Sequence, residues 1–368
     1  SSLILFGDSL SDGGTYKVGT VAEVGGGKFT VNSPTAKVWI EVVSDYLGFS
    51  KSCAAQTGLP SVIAPGFLGG VIEDHLDCTN YAQGAARVDN LYASDSYALQ
   101  QAVLNAAGMT EANKLAPLGK MAMPAITQMG IHLKRNGGAY SGKELVVVLV
   151  GANDLFMNLS AIGAAASGGV SGGPAAAIAA KFAGWREATQ LQLALAIDPN
   201  VRTNIALEAA AQFMADAATE LLANVRSQLI DRGARNIAIL NLPDVATAPA
   251  FLGDPSSAAL ASMLLNAFNA ALAAGSGNFP NVLFVDIFAQ SQAQTLNPAL
   301  YGLSNISLMA CGAGSNPFLS GSSLGCSAAT LYSGAGYDDI AHFFYADSVH
   351  PTPYGHELLS NYFMKKLN

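Results

Sequence analysis

The sequence predicts an α/β fold in which a parallel sheet is covered by helices on both faces. Short apolar runs alternate with segments of helical length and pattern along the 368 residues, an order that is typical of parallel sheets. One run, Leu145–Val150 (LVVVLV), is apolar throughout and rich in β-branched residues. Such a run indicates a strand that is buried on both faces.

Composition supports one large core and excludes some partners. Hydrophobic residues make up 51% of the chain and charged residues only 12%, about half the usual share. The net charge is −8, and the 18 Lys+Arg residues form no basic cluster, so we expect no nucleic acid partner. No apolar run reaches the ~18 residues of a membrane span, so we expect no transmembrane segment. The chain begins directly at a strand, so we expect any signal peptide to have been removed.

The predicted elements follow one another along a single domain, residues 1–368. The predicted strands are Leu3–Phe6, Leu145–Val150, Ile237–Leu240 and Val282–Asp286. The predicted helices are Ala36–Leu47, which ends at Gly48, Ile205–Arg232, which ends at Gly233, Ser256–Ala274, with Ser256 as its cap, and Thr352–Leu367, with Pro353 in its first turn. An insertion at about 161–200 is expected to form helices joined by a flexible turn. The Gly/Ser-rich segment 302–345 is expected to be a long ordered loop.

The four cysteines favour two disulfides, Cys53–Cys78 and Cys311–Cys326. Their number is even, and each pair is local in sequence. Free buried thiols are one alternative. A metal site is the other, since His75 lies near Cys78, but a fourth ligand is missing. Disulfides would indicate an oxidising compartment.

Ser9 is the candidate nucleophile. The first strand runs into Gly7-Asp8-Ser9-Leu10, so Ser9 lies at the carboxyl end of a strand, where sites of open α/β sheets form. A serine there needs a base. His350, three residues after Asp347, can supply one, with the carboxylate on its second ring nitrogen. The alternative is a surface turn in which Asp347 and His350 only contact solvent.

Two further motifs are candidates for binding a developing oxyanion. Asn153 follows the strand Leu145–Val150 in Gly151-Ala152-Asn153-Asp154, and its amide can donate to an oxyanion. The alternative is an ordinary turn and helix cap. We expect Asp154 to orient the loop. At Gly84 no side chain blocks the backbone N–H from a ligand, although glycines mark many turns.

These four motifs, with Ser9, Gly84, Asn153 and Asp347-x-x-His350 in this order and spacing, resemble the four blocks of the GDSL/SGNH hydrolase family. The resemblance spans nearly the whole chain. It implies a flavodoxin-like three-layer α/β/α sandwich with a central five-stranded parallel sheet. It also implies that Ser9 is the nucleophile, that His350 is the base and that Asp347 orients it. The implied oxyanion hole consists of the Ser9 and Gly84 N–H groups and the Asn153 side chain, with no metal or organic cofactor.

Within the family the chain looks most like secreted bacterial esterases and lipases, including passenger domains of esterase autotransporters. Leu240-Asn241-Leu242-Pro243-Asp244 carries part of this likeness. The expected function is hydrolysis of acyl or aryl esters, with a small-molecule or lipid ester as substrate. The expected protein is a monomer, secreted or on the surface of a bacterium. Alternatives are a carbohydrate O-acetyl esterase, a lipid acyltransferase and a non-catalytic binding module.

The other histidines are not expected to act as the base. His75 and His132 carry no partner pattern and are expected in loops or on the surface. His342 could line the mouth of the site or belong to the core. His356 lies six residues after His350. Asp12 is expected to cap a helix or orient a loop.

Overall fold

The computed structural model describes residues 2–49, 52–59, 67–92, 121–314, 316 and 319–367. The strands are β1 (Leu3–Gly7), β2 (Gln56–Leu59), β3 (Gly70–Asp74), β4 (Leu145–Leu149), β5 (Asn236–Leu240), β6 (Val282–Val285), β7 (Asn305–Met309) and β8 (Phe343–Tyr345). The helices are α1 (Gly19–Glu23), α2 (Trp39–Tyr46), α3 (Ala125–Arg135), α4 (Ala152–Ala166), α5 (Gly173–Ala183), α6 (Glu187–Leu195), α7 (Pro199–Asn224), α8 (Pro255–Ser276), α9 (Ile287–Leu296) and α10 (Pro353–Leu367).

A parallel sheet with the order β1-β4-β5-β6 forms the centre of the described structure. The segment 79–83 runs along the other side of β1. There Leu5 N–H donates to Thr79 O at 3.1 Å, and Tyr81 N–H donates to Leu5 O at 2.8 Å. This segment forms only isolated parallel bridges, so it takes the place of the predicted fifth strand without being a regular one. Counted with it, the order is the flavodoxin-like 2-1-3-4-5. The predicted fold class, a parallel sheet flanked by helices, is confirmed.

Helices cover both faces of the sheet because side chains alternate along each strand. Phe6 and Val148 point to a large core that is closed by α3, α4, α7 and α8. Leu5 and Val147 point to a smaller core on the opposite face, closed by α2 and α10. There Trp39 packs edge-on against Phe363, with the ring centroids 5.2 Å apart.

Several predicted boundaries change for local reasons. The long helix α7 begins at Pro199 and not at Ile205, because Asp198 caps it by accepting from Asn200 N–H. After Asn224 the chain continues as a π turn and a 3-10 turn to Arg232. Asp254, and not Ser256, caps α8. The segment 302–345 is not a loop throughout, because β7 and β8 pair in parallel.

The insertion at 161–200 is helical, as predicted, but its central turn is held firmly. Arg202 is fully buried. Its guanidinium donates to five backbone carbonyls, those of Ala165, Ser167, Gly169, Ala196 and Ile197. These carbonyls lie on both sides of α5 and α6, so one side chain fixes the turns that the sequence suggested were flexible.

Both predicted disulfides are present, Cys53–Cys78 and Cys311–Cys326. The first joins the segment before β2 to the segment beside β1. The second closes a loop that precedes β8, with a sequence separation of 15. Disulfides of this kind are typical of oxidising compartments.

Among the residues that the structure describes, one helix, α8, is long and apolar enough to cross a membrane by length and composition. One such helix is weak evidence, because core helices of globular proteins pass the same test. The apolar side chains of α8 include Leu264, Phe268 and Leu272, which are fully buried in the large core. The absence of a transmembrane segment stays a prediction.

A buried ion pair joins three parts of the fold. Arg87 Nε donates to Asp154 Oδ1 at 2.8 Å, and both side chains are almost completely buried. The guanidinium also donates to the carbonyls of Phe182 and Ala183 at the end of α5. The loop after residue 84, the start of α4 and the insertion are therefore held together at one point.

We expect Arg87→Met to lower the free energy of unfolding by about 3–5 kcal/mol, because it leaves the Asp154 carboxylate buried without its partner. Urea denaturation followed by circular dichroism measures this loss. The matched control is Arg186→Met, which breaks the exposed Arg186–Asp216 pair and should cost less than about 1 kcal/mol. Equal losses in the two variants would contradict a structural role for the buried pair.

Candidate active site

Hydrogen bonds to Gly7 hold the end of β1 in place, two residues before Ser9. The side-chain amide of Gln128 accepts from Gly7 N–H at 2.9 Å and donates to Gly7 O at 2.8 Å. Position 7 must be a glycine, because a Cβ there would collide with the carbonyl oxygen of Leu149 on the neighbouring strand. Ser9 then opens a short 3-10 turn that is capped by Asp8, whose Oδ1 accepts from Leu10 N–H. These contacts aim the Ser9 hydroxyl out of the carboxyl edge of the sheet.

Ser9, His350 and Asp347 form a hydrogen-bonded chain. Ser9 Oγ lies 2.8 Å from His350 Nε2. His350 Nδ1 lies 2.9 Å from Asp347 Oδ2 and 3.0 Å from Asp347 Oδ1. Because a carboxylate accepts, Nδ1 carries the proton and Nε2 is left to accept from the serine hydroxyl. An imidazole placed in this way can remove the proton of a nucleophilic serine.

Backbone donors hold the Asp347 carboxylate in place. Oδ1 accepts from the N–H groups of Val349 and His350 at 3.0 and 2.8 Å. Oδ2 accepts from Ser323 N–H at 2.9 Å. Ser323 lies within the loop that the Cys311–Cys326 disulfide closes. The carboxylate is therefore oriented both by its own turn and by a covalently closed loop.

The charges of this pair shift both pKa values. Burial alone would lower the pKa of His350, but the charge of Asp347 and its hydrogen bond raise that pKa above its ordinary value of 6.5. Burial alone would raise the pKa of Asp347, but the charge of His350 and the hydrogen bonds to the carboxylate keep that pKa far below its ordinary value. The acid therefore stays ionised, and its charge makes the imidazole of His350 a stronger base than that of an isolated histidine.

Phe29 packs against the imidazole. Its ring centroid lies 5.0 Å from that of His350, and both side chains line the same cavity. The Phe29 ring also packs edge-on against Tyr16 at 6.0 Å. The ring limits the space in which the His350 imidazole can turn.

Asn153 lies where the sequence places it, at the start of α4 and on the cavity wall. Its side-chain Nδ2 donates to Ala86 O at 3.0 Å, which orients the amide and leaves its second N–H for another acceptor. The neighbouring Asp154 accepts from Arg87 and from Val88 N–H. Asp154 therefore orients the loop, as expected.

Gly84 does not present its N–H to the cavity. That N–H donates to Asp12 Oδ2 at 2.9 Å. A glycine is needed at position 84 because a Cβ there would collide with the rings of Phe29 and Tyr16. Asp12 Oδ1 accepts from Gly14 and Thr15 N–H, so Asp12 orients the loop, as expected. The geometry thus corrects the reason for Gly84, from ligand approach to ring packing.

The next residue, Ala85, does line the cavity. Its backbone is in the left-handed region, with φ at 61°, where residues other than glycine are uncommon. Among the described residues, the N–H groups of Ser9 and Ala85 donate to no protein acceptor. Ser9, Ala85 and Asn153 therefore line one cavity, and each carries an N–H group without a protein acceptor among the described residues.

Asp8 is a second buried carboxyl group beside the serine. Burial raises its pKa to about 7, although the Leu10 N–H bond and the charge of His350 act against the rise. Its Oδ2 is buried without a hydrogen-bond partner among the described residues. The Asp8 carboxyl group therefore gains or loses its proton near neutral pH.

The cavity has a volume of about 220 Å³, and Ser9 lies on its wall. Aromatic and aliphatic side chains form much of its wall, among them Phe29, Phe156, Ile287 and Phe344. This volume is smaller than the ~300–1,000 Å³ that is usual for drug-sized ligands. The cavity fits an apolar group of modest size next to the serine.

The remaining histidines stay apart from this arrangement. His132 is buried and stacks on Tyr140 with the centroids 4.9 Å apart, so the expectation of a loop or surface residue is wrong for it. His342 is exposed and pairs with Asp339. His356 is fully buried, and burial lowers its pKa to about 3.

The sequence model of a protein family described as "GDSL-like Lipase/Acylhydrolase" matches residues 3–363. The chain belongs to the GDSL-like lipase/acylhydrolase family. No curated protein matches it significantly. The family assignment agrees with the sheet order and with the serine at the end of β1.

Sequence reasoning missed several residues that support the site of this GDSL-family protein. Gln128 carried a usable signal, because it is a polar residue on the buried face of α3 beside Ala125 and Met129. Phe29 and Ser323 lie in glycine- and serine-rich loops without periodicity. Phe29 contacts His350 and Ser323 contacts Asp347 only in the folded chain, so no local sequence pattern predicts these contacts.

We expect kcat/KM of this GDSL-family protein to fall as the pH drops, with a midpoint above 6.5. An imidazole must be neutral to take a proton from Ser9, and Asp347 raises the pKa of His350. Asp347→Asn should shift the midpoint to lower pH and reduce kcat by about 10⁴-fold. A pH profile with a p-nitrophenyl ester measures both effects.

The control for this profile is Asp339→Asn, which removes the acid of the exposed Asp339–His342 pair with the same three-residue spacing. This variant should keep the profile of the unmodified protein. An unchanged midpoint in Asp347→Asn would contradict the pairing.

Proposed function

We propose that this GDSL-family protein is a serine esterase or lipase that hydrolyses acyl or aryl carboxylic esters. The observation that carries the proposal is the chain of hydrogen bonds from Ser9 Oγ through His350 to Asp347, at 2.8 and 2.9 Å. The family, whose members are described as lipases and acylhydrolases, supports the same chemistry.

The proposed reaction proceeds through an acyl-enzyme. His350 Nε2 takes the Ser9 proton while Ser9 Oγ attacks the ester carbonyl, and the carbonyl oxygen becomes an oxyanion. The tetrahedral intermediate collapses, and the alcohol leaves with the proton from His350. A water molecule then gives a proton to His350 and attacks the acyl-enzyme. Collapse of this second intermediate releases the acid and restores Ser9. Asp347 stabilises the imidazolium in both steps.

The oxyanion donors that we propose are the Ser9 N–H, the Asn153 amide and the Ala85 N–H. Ala85 replaces the predicted Gly84, because Gly84 N–H is used by Asp12. The left-handed backbone at Ala85 and its place on the cavity wall support this choice. Donors of this kind stabilise charge that is present only in the transition state.

The apolar wall of the cavity favours an acyl or aryl ester over a sugar ester. A carbohydrate O-acetyl esterase remains the second candidate enzyme, because an acetyl group would also fit beside Ser9. A lipid acyltransferase would use the same residues with an alcohol in place of water. A non-catalytic binding module would have no need for the hydrogen-bonded Ser9, His350 and Asp347.

We also propose that the protein is a secreted or surface protein of a bacterium and that it acts as a monomer. The two disulfides support an oxidising compartment. The likeness to secreted esterases and to autotransporter passenger domains in the segment 240–244 agrees with it.

Ser9→Ala should abolish hydrolysis of a short p-nitrophenyl ester, with a loss of roughly 10⁴-fold or more, because no other group forms the acyl-enzyme. Circular dichroism should show an unchanged fold. Ser171→Ala, at an exposed serine of the insertion, is the control and should keep full activity. Activity that survives Ser9→Ala, or a fluorophosphonate that fails to label Ser9, would remove the serine from the mechanism.

Asn153→Ala should lower kcat by about 10²–10³-fold and change KM little, because the amide acts on the oxyanion and not on the ground-state ester. Steady-state kinetics on the same ester separate the two parameters. An unchanged kcat would exclude Asn153 from the oxyanion hole.

A further inference from the structure

The segment 27–32 contacts the turn that carries His350 at two neighbouring points. Thr30 is fully buried, and its Oγ1 donates to the carbonyl oxygen of Pro351 at 3.0 Å. The ring of Phe29 lies against the imidazole of His350, with the centroids 5.0 Å apart and the ring planes inclined by 36°. A hydrogen bond and a ring contact therefore join two segments that lie 321 positions apart in the chain.

The same segment is attached to the loop that supports Asp347. Asn32 N–H donates to Cys326 O at 2.8 Å, and the Asn32 side-chain amide donates to Ser323 O at 2.9 Å. Ser323 in turn donates its N–H to the Asp347 carboxylate at 2.9 Å. The segment 27–32 and the carboxylate are thus fixed to one loop, which a disulfide closes. Phe29 therefore has a defined place relative to both members of the Asp347–His350 pair.

The Phe29 ring is also packed on its other sides. Phe29 is only 6% exposed, and the ring of Tyr16 packs edge-on against it. A Cβ at position 84 would lie 2.3 Å from Phe29 Cζ and 2.4 Å from Cε2, so the backbone of Gly84 closes the tip of the ring. Tyr16 is held in turn, because its hydroxyl donates to Gly84 O at 2.9 Å. These neighbours keep the Phe29 ring against the imidazole.

A fixed ring at this place restricts a motion that would disconnect His350 from Ser9. The hydrogen bonds of Nδ1 to Asp347 and of Nε2 to the Ser9 hydroxyl require one orientation of the imidazole. The last side-chain torsion of a histidine is only weakly restricted by the side chain itself, so its neighbours must fix the ring. Asp347 fixes it by hydrogen bonds at one edge, and Phe29 adds van der Waals contact.

We propose that Phe29 is a positioning residue for His350, which keeps Nε2 directed at the Ser9 hydroxyl. The inference rests on the proposed function, since it requires His350 to act as the base for Ser9. Phe29 also lines the cavity, so contact with the substrate alone is the competing role. A residue of the second kind changes how the ester binds, whereas a positioning residue changes how fast the bound ester reacts.

Phe29→Leu should lower kcat for p-nitrophenyl acetate by about 10–100-fold and leave KM within about twofold. Leucine keeps an apolar wall but has no flat ring to hold the imidazole, and small misplacements of a reacting group cost this much. Loss of substrate contact alone would raise KM without lowering kcat. The acetate ester is chosen because its small acyl group contacts little of the cavity wall. Steady-state kinetics separate the two parameters.

The control is Phe279→Leu, the same exchange at a partly buried phenylalanine of the large core. Phe279 comes directly before β6 and so lies at the amino edge of the parallel sheet, opposite to the edge of Ser9. This variant should keep the kcat of the unmodified protein. Thermal melts show that both variants are folded at the temperature of the assay.

A second measurement reports the imidazole without any substrate. In protein labelled with ¹⁵N-histidine, the Nδ1 proton of His350 should give an NMR signal, because its hydrogen bond to Asp347 slows exchange with water. His350→Ala identifies this signal by removing it. Phe29→Leu should make the proton exchange about tenfold faster or broaden the signal beyond detection, whereas Phe279→Leu should leave it unchanged.

Three results overturn the positioning role: an unchanged kcat in Phe29→Leu, a rise in KM without a loss of kcat, or an Nδ1 proton signal that Phe29→Leu leaves intact. Absence of the signal from the unmodified protein would also contradict a held imidazole. Failure of the proposed function has a different signature, because the unmodified protein would then show no Ser9-dependent hydrolysis while the NMR signal still reports the contact of Phe29 with His350.

Discussion

A buried carboxylate needs hydrogen-bond donors, and the arrangement around Ser9 depends on this constraint. The Asp12 carboxylate accepts hydrogen bonds from N–H groups of its own turn and from that of Gly84. The Asp154 carboxylate accepts hydrogen bonds from Arg87 and Val88. The Asp347 carboxylate accepts them from His350, Val349 and Ser323. Each carboxylate thus ties a distant segment to the carboxyl edge of the sheet. Because losing any donor leaves a charge without compensation in a dry interior, these segments have little freedom to move apart.

The segment 161–200, which the sequence analysis interprets as an insertion, belongs to this framework. Arg87 binds the last carbonyls of α5, and Arg202 binds the carbonyls on both sides of α5 and α6. The insertion therefore supports the Asn153 loop from behind through the same guanidinium that pairs with Asp154. In the described structure these hydrogen bonds hold the segment 161–200 against the loop of Asn153, and they would have to break before the segment could move.

The features that depend on local sequence patterns, such as strands, helices and the residues at strand ends, could be predicted from the sequence. Short apolar runs that alternate with helical segments predicted the parallel sheet. Ser9 and His350 could be singled out because a strand end and an Asp-x-x-His turn are local signals in the sequence. The backbone near Gly84 was not predictable in this way. Whether its N–H faces a ligand or Asp12 depends on the packing of Phe29 and Tyr16, which come from a distant loop. The contact of Ser323 with Asp347 likewise arises only when segments far apart in sequence meet, and the sequence has no periodic signal for such meetings.

The hydrogen bond between Ser9 and His350 joins residues 341 positions apart. Contacts of such separation form late, since loop closure costs conformational entropy before the contact repays it. A chain with a formed sheet but an undocked α10 would hold Ser9 without His350. The Ser9–His350 pair is then a property of the completely folded molecule, and partly folded species lack it. In a refolding mixture, a probe of this pair would count completely folded molecules, whereas circular dichroism would count helices wherever they form.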